Sequence, residues 1–170
     1  MRKRWYVFLL SLLILLCACG CGTEPEGDGA DYVLYFLSDE EGHGAALKAQ
    51  PYAGAEGVPT PEALVRALLN GPTEGNLKTP FPRGLSLLEC RWDEEAGAVR
   101  LLLSEQYGAL TDISLTLADY SLVLTLSQLE GVETVEIFTE GHSFSYRSHS
   151  ALSAEEALLI DALAVGDGVA

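Results

Sequence analysis

The residues best placed to do chemistry in this chain are three closely spaced cysteines, Cys17, Cys19 and Cys21, which follow an apolar run. A thiol standing where a hydrophobic helix ends can be acylated at the bilayer surface, and two acyl chains give durable attachment where one gives only marginal binding. Clustered cysteines could instead hold a metal, but no second half-site accompanies these three, and the sequence points to none. Elsewhere the chain has no serine nucleophile elbow, no glycine-rich phosphate loop after a strand and no His-Glu-x-x-His. His43, His142 and His149 lack ligand spacing. Asp39, Glu40 and Glu41 lack the alternating ligands of a calcium loop. Glu94 and Glu95 fall in a turn, where exposure accounts for them. Cys90, on an apolar strand face, reads as an inert core thiol. No catalytic residue, no cofactor site and no metal site is therefore expected.

The cysteine cluster belongs to a leader. Arg2, Lys3 and Arg4 form a positive tip, and Trp5 to Leu16 is apolar except for Ser11. That run is short of the roughly 18–20 residues a membrane span needs, which fits an export signal. Cys17 and Ala18 could lengthen it into an uncleaved signal anchor, the alternative. Leu16-Cys17-Ala18-Cys19 resembles a bacterial lipobox, with Leu three residues before the cysteine and a small residue just before it. That resemblance implies diacylation of Cys19, cleavage before it (signal peptide 1–18), and attachment to the outer face of a cytoplasmic membrane. Cys21, preceded by Ala18-Cys19-Gly20, is the alternative acceptor.

Beyond the leader the chain is strongly acidic, with seven Lys or Arg against 25 Asp or Glu. Such a surface repels nucleic-acid phosphates and anionic headgroups alike, so nucleic-acid binding is not expected and a lipid anchor must supply the membrane attachment. The remaining length suits one hydrophobic core rather than two domains. Residues 19–30 read as a flexible acidic linker, with Thr23 to Gly29 offering nothing apolar to bury.

The elements that would make up the folded part, 31–141, alternate in type. A strand is expected over Tyr32 to Leu37, apolar on both faces, and a short return strand over Ala46 to Tyr52. A helix comes next: Thr60 can cap it, Pro61 suits its first position, Leu64/Leu68 and Val65/Leu69 form its apolar stripe, and Gly71-Pro72 stops it. Thr73 to Gly84 reads as loop. Leu85 to Trp92 and Ala98 to Leu103 read as antiparallel strands about the turn Asp93 to Gly97. Leu88, Cys90 and Trp92 would share one face of the first, and Val99, Leu101 and Leu103 one face of the second. Trp92 is a core or edge-packing side chain, or else a sugar-stacking platform. Thr116 to Leu129 carries both strand-like alternation and helix signals, with Thr116 and Asp119 as a capping box and Gly131 as a stop; helix is favoured. Val132 to Phe138 makes the last strand. The extension, 142–170, contains a further helix signal, with Ser153 as cap and Glu156 at its third position, before an apolar run from Ala157 to Val165. End to end this is a two-layer α+β domain.

The pieces also resemble a known family. Ala63-Leu64-Val65-Arg66-Ala67-Leu68-Leu69-Asn70-Gly71-Pro72 and Leu77-Lys78-Thr79-Pro80-Phe81-Pro82-Arg83-Gly84 look like the helix and loop of the GerMN domain, the sporulation and spore-germination domain of Gram-positive lipoproteins. Val99 to Ser104 looks like the strand that succeeds them, and Thr125 to Ile137, closed by Gly141, resembles the last helix and strand. The likeness runs from Tyr32 to Gly141. It implies a three- or four-stranded, mostly antiparallel sheet against two helices, related to ring-building motifs. It also implies a non-catalytic role in an envelope or sporulation-related complex, with protein partners and self-assembly. The competing reading is a peptidoglycan-associated enzyme or sugar-binding module, which would need clustered carboxylates or aromatics in a cleft.

The anchor is directly testable. Cys19→Ser is expected to abolish diacylglycerol labelling and cleavage of the precursor. Labelling that survives in Cys19→Ser but disappears in Cys21→Ser moves the acceptor, and an unlipidated wild type beginning at Met1 establishes the signal anchor instead.

Overall fold

The computed structural model describes residues 32–39, 46–54, 57–141 and 151–156. Strand β1 (Val33–Ser38) runs antiparallel to β2 (Leu47–Pro51), with Leu37 opposite Leu47 and Val33 opposite Pro51, so the return strand expected after Ala46 is present. Helix α1 (Pro61–Leu69) starts as its punctuation dictates: Thr60 Oγ1 accepts from the Ala63 amide at 3.2 Å. It stops before Gly71, whose φ of 90° an L side chain would resist. The stretch expected to be loop contains a two-residue strand, β3 (Leu77–Lys78), which pairs antiparallel with the end of β1. Two residues are too few to show an alternation.

The second sheet takes its order from β4 (Leu87–Asp93), β5 (Ala98–Leu103), β6 (Thr134–Thr139) and β7 (Ala151–Leu152), joined in that sequence. Pairs β4–β5 and β6–β7 are antiparallel, whereas β5–β6 is parallel, with Val99 opposite Val135 and Leu101 opposite Ile137. A parallel pair needs a long crossover. Here it passes through a 3₁₀ turn (Glu105–Ala109) and helix α2 (Asp112–Leu126). The architecture is thus the expected α+β two-layer one, with three- and four-stranded sheets packed against two helices. Strand β7 has no counterpart among the elements expected from the sequence. Next to it, the Ser153 amide donates to Glu156 Oε2 at 3.2 Å, in keeping with the cap expected there, while 157–170 lie outside the described residues.

Helix α2 begins four residues before the expected Thr116. The Thr111 amide donates to Ser114 Oγ at 3.2 Å, and the Ser114 hydroxyl returns a bond to the Thr111 carbonyl. Thr116 lies inside the helix, its hydroxyl on the Asp112 carbonyl. Asp119, rather than closing a cap, is buried and accepts from the Tyr107 hydroxyl at 2.6 Å.

One core joins both sheets and both helices: Leu34 and Phe36 from β1, Leu64, Val65 and Leu68 from α1, Val99, Leu101 and Leu103 from β5, Leu122, Val123 and Leu126 from α2, Val135 and Ile137 from β6. Helix α2 buries polar side chains as well. β1 meets β3 only at Leu37 and Ser38, so the rest of that flank needs other partners, and α2 provides them. The Ser121 hydroxyl donates to the Tyr35 carbonyl (2.6 Å), the Tyr35 amide to Thr125 Oγ1 (3.2 Å), and the Val33 amide to Gln128 Oε1 (2.9 Å). Gln128 Nε2 donates back to the Val33 carbonyl (2.8 Å). Three side chains about one turn apart replace a missing strand. A second such tie holds the loop after α1, where buried Gln50 accepts from the amides of Thr73 and Glu74.

Removing one of these acceptors leaves a half-buried amide unpaired. Thr125→Val and Gln128→Leu are each expected to cost about 1–3 kcal/mol, lowering the melting temperature by about 4–8 °C per kcal/mol. Thr116→Val, whose hydroxyl bonds only within its helix, is expected to change it far less. Equal melting temperatures for all three variants would show that α2 does not hold the strand edge.

Candidate functional site

The larger sheet ends at β4 on one side and at the two-residue β7 on the other, and among the described residues β4 has a strand partner on one side only. Its sequence forces a compromise. Cys90 and Trp92 lie opposite Leu101 and Val99 on the core-facing side, while Glu89 and Arg91 lie opposite Leu102 and Arg100 on the outer side. Between Leu87 and Glu89 the register shifts, a bulge that leaves Leu87 buried and turns Leu88 out. Leu88 is consequently 47% exposed, and Trp92, at the strand's far end, 38%. Alternation alone puts Leu88 on the same face as Cys90 and Trp92; the bulge is why it is not covered.

Charges on the outer side are paired. Arg91 bridges to Glu89 along β4, and Arg100 Nε lies 2.6 Å from Glu136 Oε2 across the parallel β5–β6 pair. Exposed pairs of this kind contribute little stability. Their effect is to leave a locally neutral strip on an acidic protein. Two open depressions border it: one of about 480 Å³ lined by Arg91, Trp92, Asp93, Glu94, Glu95 and Arg100, and one of about 350 Å³ that includes Leu102 and Phe138. The turn between β4 and β5 is held by Asp93 Oδ1, which accepts from the Ala96 amide. It also needs glycine at 97, where φ is 61° and a Cβ would approach the Gly131 carbonyl to 3.2 Å.

Cys90 sits where α1 crosses β4. Burial pushes its thiol up to about 11, with the Glu62 carboxylate adding to the rise and the Arg66 guanidinium opposing it. A thiol so placed is a poor nucleophile at neutral pH, in line with the inert role expected from the sequence. Tyr120 is likewise raised, by burial first and then by Glu156 and Asp119.

The remaining candidates do not converge. Asp39 pairs with Lys78, and Glu94 and Glu95 are exposed in their turn. Tyr107 is in the core. Cys19, Cys21, Glu40, Glu41, His43, His142 and His149 lie outside the described residues. Among the described residues, no three His, Cys, Asp or Glu side chains are grouped to hold a metal ion, and no helix is long and apolar enough to cross a membrane. The features that sequence reasoning missed are the exposure of Leu88 and the uses of Gln50 and Asp119. Only for Asp119, a lone acid in an apolar run, did the sequence carry a signal.

A family model described as sporulation and spore germination matches residues 33–144. Among solved structures, the chain is similar to the first GerMN domain of the sporulation protein GerM from Bacillus subtilis, with 15% identity over 73% of this chain and 97% of that one and a TM-score of 0.57. It is also similar to the tandem GerMN domains of the same protein, with 20% identity over 71% of this chain and 44% of that one and a TM-score of 0.48. The chain therefore spans less than half of the tandem structure. No curated protein matches.

The raised Cys90 thiol sets a reactivity. At pH 8 its alkylation, followed by mass spectrometry of the Cys90 peptide, is expected to be slower by about tenfold or more in the native protein than in denaturant, rising as pH approaches 11. Because the folded state holds the thiol proton more tightly than the unfolded one, the resulting stability is present below pH 9 and is lost as pH rises through about 11. Equal native and denatured alkylation rates at pH 8 would contradict the burial.

Proposed function

The chain belongs to the sporulation and spore germination family, and from that footing we propose that it is a non-catalytic, membrane-anchored lipoprotein acting as scaffold or adaptor in an envelope or sporulation-related assembly. The observation that carries this reading is where the buried polar groups go. All five buried polar side chains among the described residues, Gln50, Ser104, Asp119, Ser121 and Thr125, bond to the chain's own backbone or to Tyr107. None of the five lines either of the two depressions beside β4, where a catalytic group or a ligand clamp would have to point. What the domain presents outward instead is an open strand edge and a charge-paired sheet face, surfaces suited to meeting protein.

In this proposal residues 1–18 are a signal peptide, and Cys19, or alternatively Cys21, carries the lipid at the extracytoplasmic face. The linker 19–30 holds the 31–141 domain near the bilayer, and 142–170 offers a second contact region. The strongly acidic balance supports a protein partner over nucleic acid.

Cross-linking of the anchored protein in its native cells, with identification of the captured envelope proteins, tests the assembly role. Capture is expected to be lost when 31–141 is deleted and the leader and linker are kept. Turnover of cell-wall material into soluble fragments by the purified protein would overturn the proposal in favour of a peptidoglycan-associated enzyme.

A further inference from the structure

The exposed flank of β4 has a chemical palindrome. Leu88, Glu89, Cys90, Arg91 and Trp92 read apolar, acid, thiol, base, apolar, and the two apolar ends enclose a charge pair of opposite sign about the thiol. If a second copy of β4 is laid antiparallel with a two-fold axis at Cys90, Glu89 faces the partner's Arg91 and Arg91 faces the partner's Glu89, all four on the outer side of the joined sheet. Opposite charges are favoured cross-strand neighbours. Parallel pairing in register would instead set Glu89 on Glu89 and Arg91 on Arg91.

We propose that β4 is a self-association edge: two copies of this protein join strand to strand about Cys90, and their four-stranded sheets become one of eight. The proposal deepens the assembly reading and rests on it. A self-complementary patch is what a two-fold interface requires. Two acidic chains would ordinarily repel, but this strip is charge-balanced by Arg91 and Arg100. The strongly acidic turns beginning at Asp93 fall at opposite ends of the joined strands. The two Asp93 would be six residues apart along the pair, or about 20 Å, beyond the screening length of about 8–10 Å.

The test is a charge exchange on the full chain in mild non-ionic detergent, with mass measured by sedimentation velocity. Wild type is expected to dimerise. Glu89→Arg and Arg91→Glu each set like charges across the axis and are expected to weaken self-association by about tenfold or more. Mixing these two variants restores every opposition and should give a heterodimer, as should the double variant Glu89→Arg/Arg91→Glu with itself. Both residues are exposed, and thermal melting verifies that each variant folds. Dimerisation unaffected by the single changes, or a mixture that stays monomeric, would overturn the proposal. A wild-type monomer that still captures envelope proteins would overturn the dimer and leave the assembly reading standing. A dimer obeying the exchange rule but capturing nothing would support this edge and sink the wider assembly role.

Discussion

The fold depends on one substitution of partners: a helix stands in for a strand along the flank of β1. Ser121, Thr125 and Gln128 satisfy backbone groups at Tyr35 and Val33 that β3 is too short to reach. Ser121 and Thr125, one turn apart, take the carbonyl and the amide of the same residue, Tyr35; from Thr125 to Gln128 the helix rises about 4.5 Å, while the two strand residues to Val33 span about 6.6–6.8 Å. The longer Gln128 side chain covers the remainder and bonds both the amide and the carbonyl of Val33. Once this contact forms, α2 has a fixed rotation. Its apolar positions Ala118, Leu122 and Leu126 then enter the shared core, and the crossover that makes β5 and β6 parallel is set.

That constraint also explains how far the sequence could be read. Elements whose signals are local were legible: α1, with Thr60, Pro61 and Gly71 marking its ends, and β5 and β6, whose alternation matches their burial. Helix α2 was ambiguous because it is buried on two sides, apolar against the core and polar against β1. Its residues 121–127 therefore lack the single stripe of an ordinary surface helix and mimic a strand's alternation. The start of α2 was misplaced because Thr116 has the composition of a cap, whereas the chain uses Thr111 and Ser114. Strands β3 and β7 are defined by their partners alone, and no two-residue window can announce them.

The exposed edge of the larger sheet was less legible than the fold. Nothing local distinguishes a strand at the margin of a sheet from one inside it, and β4 reads as apolar on the side that carries Cys90. Its position depends on the order of β5, β6 and β7, and the exposure of Leu88 on a bulge. The proposed lipid acceptor, Cys19 with Cys21 as the alternative, presents the opposite case, because it rests on a local motif that needs no tertiary structure. The acids of the β4–β5 turn, by contrast, are solvated, as their place between two apolar strands indicated.

The helix-for-strand contact joins residues 86 to 95 positions apart, so it has a consequence in time. A ribosome adds about 5–20 residues per second, so β1 is synthesised roughly 5–20 s before Gln128. Throughout that interval Val33-Leu34-Tyr35-Phe36-Leu37, an uncharged β-prone segment, has an unsatisfied margin. The same chain must stay unfolded to be exported under the leader reading, which prolongs the interval. The hydrogen bonds that complete the β1 margin are thus among the last the chain can make, and until then that margin is open to pairing with other chains.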